Sequence, residues 1–305
     1  MSYFALLNLN KPPGMTSRDA INRVQRLLPR RTKIGHAGTL DPLASGVLVA
    51  AIGPATRLID YIQAMPKSYS ATFLLGRASP TEDTDGEVRE LPNPPVPTEE
   101  DLLAAASRLV GRIEQRPPDF SALKIAGRRA YDLARAGQKV ELAPRLIDVY
   151  SINVIAYNYP ELRLDVSCGS GTYVRSLGRD LARSLGTEAV MSALTRTAIG
   201  DFTLAESVNP TTLNETTLDS HLLSPLRAVA ALHRITLTDA EQTEIRHGRT
   251  IPYRSNADAT PVGQAVPDNS SSTTELAATD MEGQLLAILI PRGQNRLGPA
   301  QNFTS

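Results

Sequence analysis

The sequence accommodates a mixed α+β fold in one sizeable domain followed by a small one, and three observations permit it. The chain has 305 residues, 41% of them hydrophobic, which suits a soluble globular protein with a core larger than one small unit needs. Short apolar runs with strand-like alternation are interspersed with amphipathic helical segments. Toward the C-terminus the periodicity thins, and Ser255 to Ala278, rich in Ser, Thr and Pro, predicts a flexible loop or insertion.

Taken in order, Thr16 to Leu28 predicts a helix with Ala20, Ile21, Val24, Leu27 and Leu28 on one face and Arg18, Arg23 and Arg26 on the other. Next, Gly35-His36-Ala37-Gly38-Thr39-Leu40-Asp41-Pro42-Leu43-Ala44-Ser45-Gly46 predicts a rigid loop that feeds an apolar strand, Gly46 to Ile52. Pro42 disfavours an α conformation at Asp41, and the glycines allow backbone shapes closed to other residues, so the Asp41 carboxylate is expected to be held still. Tyr69 to Leu75 alternates as a strand with Tyr69, Ala71, Phe73 and Leu75 on one side, and Thr81 to Gly86 follows as a turn. After the proline-rich connection Leu91 to Pro97, Thr98 caps a helix running to about Val110, with Gly111 as its stop. Leu162 to Val166 alternates as a strand and Gly169 to Gly171 forms a loop. Thr172 then caps a helix that carries Val174, Leu177, Leu181 and Leu185 toward the core until Gly186. Arg175 falls in its first turn, where the helix dipole mildly opposes a cation, so an anionic partner and a plain surface arginine are both open readings. Further on, Thr238-Asp239-Ala240-Glu241 is a capping-box pattern for a helix ending near His247-Gly248, and Leu285 to Ile290 predicts a short apolar strand.

Lys and Arg together number 32, as do Asp and Glu, so the formal net charge is zero. The basic residues are nevertheless clustered. Arg18, Arg23, Arg26, Arg30, Arg31 and Lys33 precede the Asp41 loop, and Arg108, Arg112, Arg116, Lys124, Arg128, Arg129, Arg135 and Lys139 populate the centre, while the acids gather at Glu82 to Glu90. A basic face on a neutral protein follows, with solvated helix faces as the alternative. The single cysteine excludes an internal disulfide, and the four histidines lack metal-ligand spacing, so no structural metal is expected. No basic-then-apolar leader opens the sequence and no apolar run approaches membrane-spanning length, so the expected compartment is the cytoplasm and no membrane is involved.

Several long motifs resemble, in family order, those of the bacterial TruB family of tRNA pseudouridine synthases. They are Leu9-Asn10-Lys11-Pro12-Pro13-Gly14-Met15-Thr16-Ser17, the Asp41 loop, Lys67-Ser68-Tyr69, Arg116 to Lys124, Tyr131 to Gly137, Cys168-Gly169-Ser170-Gly171-Thr172-Tyr173-Val174-Arg175, and Leu194-Thr195-Arg196-Thr197-Ala198-Ile199-Gly200-Asp201-Phe202. The resemblance implies an α+β pseudouridine synthase fold, with a largely antiparallel mixed sheet and flanking helices, over residues 1–230, including an RNA-gripping insertion at about 116–140. Residues 231–305 resemble a small PUA-like β domain for RNA binding. Their ending, Leu297 to Phe303, departs from the lysine-containing ending common in the family.

The implied reaction converts a T-loop uridine of tRNA to pseudouridine, without a cofactor, without a guide RNA, and by a monomer. The bond from ribose C1′ to uracil N1 breaks, the base turns, and C5 joins C1′ while water is kept out. Asp41 is carried over as the catalytic aspartate, able to attack carbon, to stabilise positive character at C1′ or to take a proton. Arg175 matches the arginine that pairs with it, and Tyr69 the tyrosine that stacks on the target base. His36 corresponds to the side chain that fills the space of the flipped nucleotide, Leu194 lines the uracil pocket, and Lys11, Lys124, Arg128 and Arg135 are candidate RNA contacts. Two rival readings are a catalytically silent tRNA-binding or folding factor and a carboxylate glycoside hydrolase, the latter lacking an evident second carboxylate beside Asp41.

Overall fold

The computed structural model describes residues 3–120, 142–253, 275–293 and 295–304, and the backbone of the short strands Lys124–Ile125 and Arg128–Arg129. A mixed sheet organises the first part of the chain. Its strands run in the order Leu222–Leu223, Ala5–Lys11, Ser45–Ile52, Ala189–Ile199, Lys67–Leu75, Glu161–Cys168, Arg145–Asn158 and Gly111–Gln115, with Ile34–His36 beside Ser45–Ile52 and Phe202–Thr203 beside Ala189–Ile199. Every pairing is antiparallel except that of Ser45–Ile52 with Ala189–Ile199, which is parallel over Thr195 opposite Ser45 and Arg196 opposite Gly46. That junction demands glycine: Gly46 has φ of 100°, and a Cβ there would lie 2.2 Å from the Arg196 carbonyl oxygen.

The strand Ser45–Ile52 is buried on both faces, and its alternation divides two cores. Leu48, Ala50 and Ile52 pack with the helices Ser17–Gln25, Glu99–Arg108 and Val174–Ser184, whereas Val47, Val49 and Ala51 pack with Ala277, Leu285, Ile288 and Phe303 of the C-terminal part. Thr16 and Thr98 cap their helices in reciprocal boxes with Asp19 and Asp101, and the predicted apolar faces are the buried ones, with Ala20, Ile21 and Val24 fully enclosed. In the helix Val174–Ser184, Gly178 lies so close to Phe73 that a Cβ would overlap the ring.

One cap differs from the expected one. The helix starts a residue later, with Tyr173 as its N-cap, and Thr172 caps nothing. The fully buried Gln115 side chain takes over, accepting from the Tyr173 N–H at 2.9 Å and donating to its carbonyl at 3.0 Å.

A second, five-stranded sheet is ordered His233–Thr236, Leu276–Thr279, Leu285–Pro291, Arg296–Asn302 and Ile251–Pro252, next to the helix Asp239–Arg246 capped by Thr238 and Glu241. Leu276 to Ala278 are therefore not part of a flexible segment: Leu276–Thr279 is buried along its length between two strands, and burial on both faces removes the alternation that would mark it in sequence. The rest of the predicted flexible stretch, 255–274, lies outside the described residues. The C-terminal end docks onto the first part of the chain. Phe303 stacks on Phe4 with centroids 4.9 Å apart and under the Arg57 guanidinium, which donates to the Asn302 carbonyl at 2.7 Å, while Tyr61 donates to Glu275 at 2.9 Å. Among the described residues no helix is long and apolar enough to cross a membrane.

Candidate active site

A cavity of about 350 Å³ opens where the parallel strand pair meets the N-terminus of the helix Val174–Ser184. Asp41, Tyr69, Arg175 and Leu194 all line it, so four of the predicted site residues converge although they come from separate motifs.

The Asp41 loop is fixed on both sides by polar contacts. The buried Ser17 hydroxyl donates to the Leu40 carbonyl at 3.0 Å and accepts from the Leu40 N–H at 2.8 Å. The Pro42 carbonyl accepts from the Gly14 N–H at 2.8 Å and from Lys11 Nζ at 3.4 Å, and the Asp41 carbonyl accepts from the Ala44 N–H at 3.1 Å. With the backbone held, the carboxylate is 39% exposed and faces the cavity, where a ligand can reach it.

Arg175 lies almost wholly buried behind Asp41. It meets Asp41 at 3.0 Å and Asp83 at 3.5 Å, and donates to the carbonyls of Thr81 at 2.7 Å and Phe120 at 3.2 Å. This settles the open reading of the first-turn cation: two carboxylates compensate the helix dipole. The planar fork spreads its donors over four acceptors, an arrangement the point charge of a lysine cannot copy. Asp83 is itself buried, which raises its carboxyl above the usual range, opposed by a hydrogen bond from Thr81 and by the charge of Arg175. One turn along the helix, Arg179 holds Glu82, which also accepts from the Ser176 hydroxyl at 2.8 Å. Asp83 and Glu82 belong to the predicted turn and were invisible as partners there, because nothing local ties an acidic turn to a helix ninety residues on.

Tyr69 is half-buried in the cavity wall, and burial pushes its phenol above the ordinary range despite the opposing pull of Arg196. His36 does not line the cavity. It ends the strand that leads into the Gly38 to Asp41 wall, with Nδ1 buried and without a hydrogen-bond partner, and burial together with Arg18 and Arg196 lowers its pKa, which favours the neutral ring. Of the expected RNA contacts, Arg135 lies outside the described residues, and Lys124 and Arg128 are described only as paired backbone, Lys124 opposite Arg129 and Ile125 opposite Arg128.

Lys11 is a correction. It is fully buried, and Nζ donates to the carbonyls of Met15 at 2.6 Å, Pro12 at 3.0 Å and Pro42, so it braces the Asp41 loop from behind instead of meeting RNA. Burial lowers its pKa to about 8. Between that value and the ordinary lysine pKa near 10.5 the unfolded chain binds a proton that the folded one releases, so folding gains stability as pH rises through this window. We expect the stability difference between the natural chain and Lys11→Met, from urea unfolding, to move in favour of the natural chain from pH 7.5 to 9.5. A pH-independent difference would contradict the burial of this amine.

Sequence reasoning missed Arg196, Lys67 and Arg145, which also line the cavity. A signal for two of them was present: Arg196 follows Leu194 by two, and Lys67 precedes Tyr69 by two, so strand periodicity puts each on the face of a residue already assigned to the site. Cys168 is a buried thiol whose pKa burial pushes up to about 11, in keeping with a structural residue.

The cavity sets one solvent-reachable, arginine-held carboxylate beside an aromatic and an aliphatic wall, an arrangement suited to an enzyme that encloses a small planar substrate. Comparison with known proteins narrows the class. The family model described as "TruB family pseudouridylate synthase (N terminal domain)" matches residues 25–174. A tRNA pseudouridine synthase B of Arthrobacter sp. (strain FB24) is 39% identical over 296 residues, covering 94% of this chain and 93% of that protein. One of Dehalococcoides mccartyi (strain CBDB1) is 35% identical over 302 residues, covering 98% and 96%. The chain belongs to the TruB family of pseudouridylate synthases. Among solved structures, an H/ACA RNP bound to a substrate RNA containing 2′-deoxyuridine aligns over 99% of this chain and 86% of its own with a TM-score of 0.72 at 22% identity. A Cbf5-Nop10-Gar1 complex aligns over 99% and 84%, also at 0.72, with 23% identity. These two establish the α+β fold, including the C-terminal sheet.

Proposed function

We infer that this pseudouridylate synthase isomerises the T-loop uridine of tRNA, acting in the cytoplasm without a guide RNA or cofactor. The observation that carries the reading is the convergence of Asp41, Tyr69, Arg175 and Leu194 on one cavity in a chain similar to tRNA pseudouridine synthases over nearly its whole length. A cavity of about 350 Å³ falls in the range that encloses a small ligand such as a nucleoside. The uridine must leave its stack, at about a few kcal/mol, and His36 takes the vacated space. Tyr69 stacks on the base, Leu194 closes the opposite side, and Arg175 aligns Asp41 with ribose C1′. The C1′–N1 bond breaks, the retained base turns, C5 bonds to C1′, the C5 proton leaves and N1 gains one.

Loss of that C5 hydrogen gives the test. Incubation with tRNA tritiated at uracil C5 is expected to release tritium to water. Binding without release would identify a tRNA-binding factor and reject the enzymatic reading.

The segment Ser121 to Gly137, mostly outside the described residues, is assigned to gripping RNA on the strength of Arg128, Arg129 and Arg135. Removing Ala126 to Gly137 is expected to weaken tRNA binding and to reduce the slope of log affinity against log salt by about 0.7–0.9 for each phosphate that is no longer neutralised. A folded deletion variant with unchanged affinity and slope would make the segment a connector.

A further inference from the structure

Among the described residues, Arg196 is a buried cation that no carboxylate balances. It is 2% exposed, Nε donates to the Val47 carbonyl at 2.8 Å, and Nη2 donates to the Gly38 carbonyl at 3.0 Å. It is the register partner of Tyr69 across neighbouring strands, and its charge opposes the upward shift of the Tyr69 phenol. Among the described residues no Asp or Glu pairs with it, in contrast to Arg175, which has Asp41 and Asp83. Its charge is felt around the whole cavity: it opposes protonation of Lys67 and favours the ionised forms of Tyr69 and Cys168.

A charge enclosed among neutral acceptors is costly to keep. Such a group gains a purpose where negative charge develops during the reaction, because a cation already fixed in a dry site stabilises that charge without reorganising. Cleavage of the C1′–N1 bond creates such a charge. The electron pair of the bond stays with uracil and spreads over N1, O2 and O4. It is used again when C5 bonds to C1′, after which the C5 proton leaves and N1 takes a proton, so the base ends neutral.

We propose that Arg196 is a catalytic residue of the isomerisation, its guanidinium meeting a carbonyl oxygen, O2 or O4, of the detached uracil and stabilising the uracil anion. Asp41 then serves the sugar and Arg196 the base, opposite charges on the two sides of the breaking bond. Leu194, on the same strand face, keeps water from the anion. The proposal rests on the reading of the cavity as the uridine site.

The test compares single-turnover glycosidic cleavage of tRNA carrying uridine or 5-fluorouridine at the target position. Fluorine withdraws electrons, so its uracil anion needs less external stabilisation. Arg196→Met is expected to slow cleavage of uridine on the order of 100-fold or more, the effect of removing one preorganised donor, and to slow 5-fluorouridine by a much smaller factor. Arg196→Lys, which keeps the charge and loses the fork, is expected between the natural chain and Arg196→Met. It carries the same comparison if the methionine variant does not fold. Equal losses on both substrates would assign Arg196 a structural role and overturn the proposal, as would unimpaired cleavage of uridine. A natural chain that leaves uridine tRNA uncleaved would instead overturn the functional reading.

Discussion

Asp41→Asn is expected to bind tRNA as the natural chain does and to form pseudouridine at least about a thousand-fold more slowly, the scale of a lost acid–base or nucleophilic group. The substitution keeps size and shape, and the loop around it is set by bonds that do not involve the carboxylate: Ser17 on Leu40, Gly14 on Pro42, and Ala44 on the Asp41 carbonyl. Binding and turnover should therefore separate. The measurement is tRNA affinity beside single-turnover product formation, and turnover near that of the natural chain would remove Asp41 from the chemistry.

Arg175→Lys is expected to lower turnover on the order of 100-fold with little change in tRNA affinity, because the charge is retained while its geometry is not. The arginine reaches Asp41, Asp83 and the Thr81 and Phe120 carbonyls at once. A lysine ammonium cannot span these positions, so Asp41 loses its orienting partner and two part-buried carbonyls lose this donor. Urea unfolding should show a loss of stability as well. Natural turnover at saturating tRNA would contradict the orienting role.

Local signals made much of the framework legible. The caps at Thr16, Thr98 and Thr238 mark their helices because a capping box is written within four consecutive residues. The strand Lys67–Leu75 reads from its alternation, since one face meets the helical core. What stayed hidden depends on distant partners. Leu276–Thr279 is covered on both faces and shows no period, and Gln115 caps a helix whose N-cap lies 58 residues later in sequence. Lys11 looks like a surface cation in sequence and is in fact enclosed, because three carbonyls from two loops gather around its amine. At the site, Asp41, Tyr69, Arg175 and Leu194 were found through extended motifs. Asp83 needed the folded turn, where a parallel bridge to Met191 sets the acidic side chain against Arg175.

The central claim, that this chain makes pseudouridine at one tRNA position through Asp41, is tested most directly by mapping pseudouridine in an unmodified tRNA transcript after incubation with the purified protein. The expected result is a single pseudouridine at the T-loop uridine with the natural chain and none with Asp41→Asn. Pseudouridine at another position, none with the natural chain, or equal product from both proteins would contradict it.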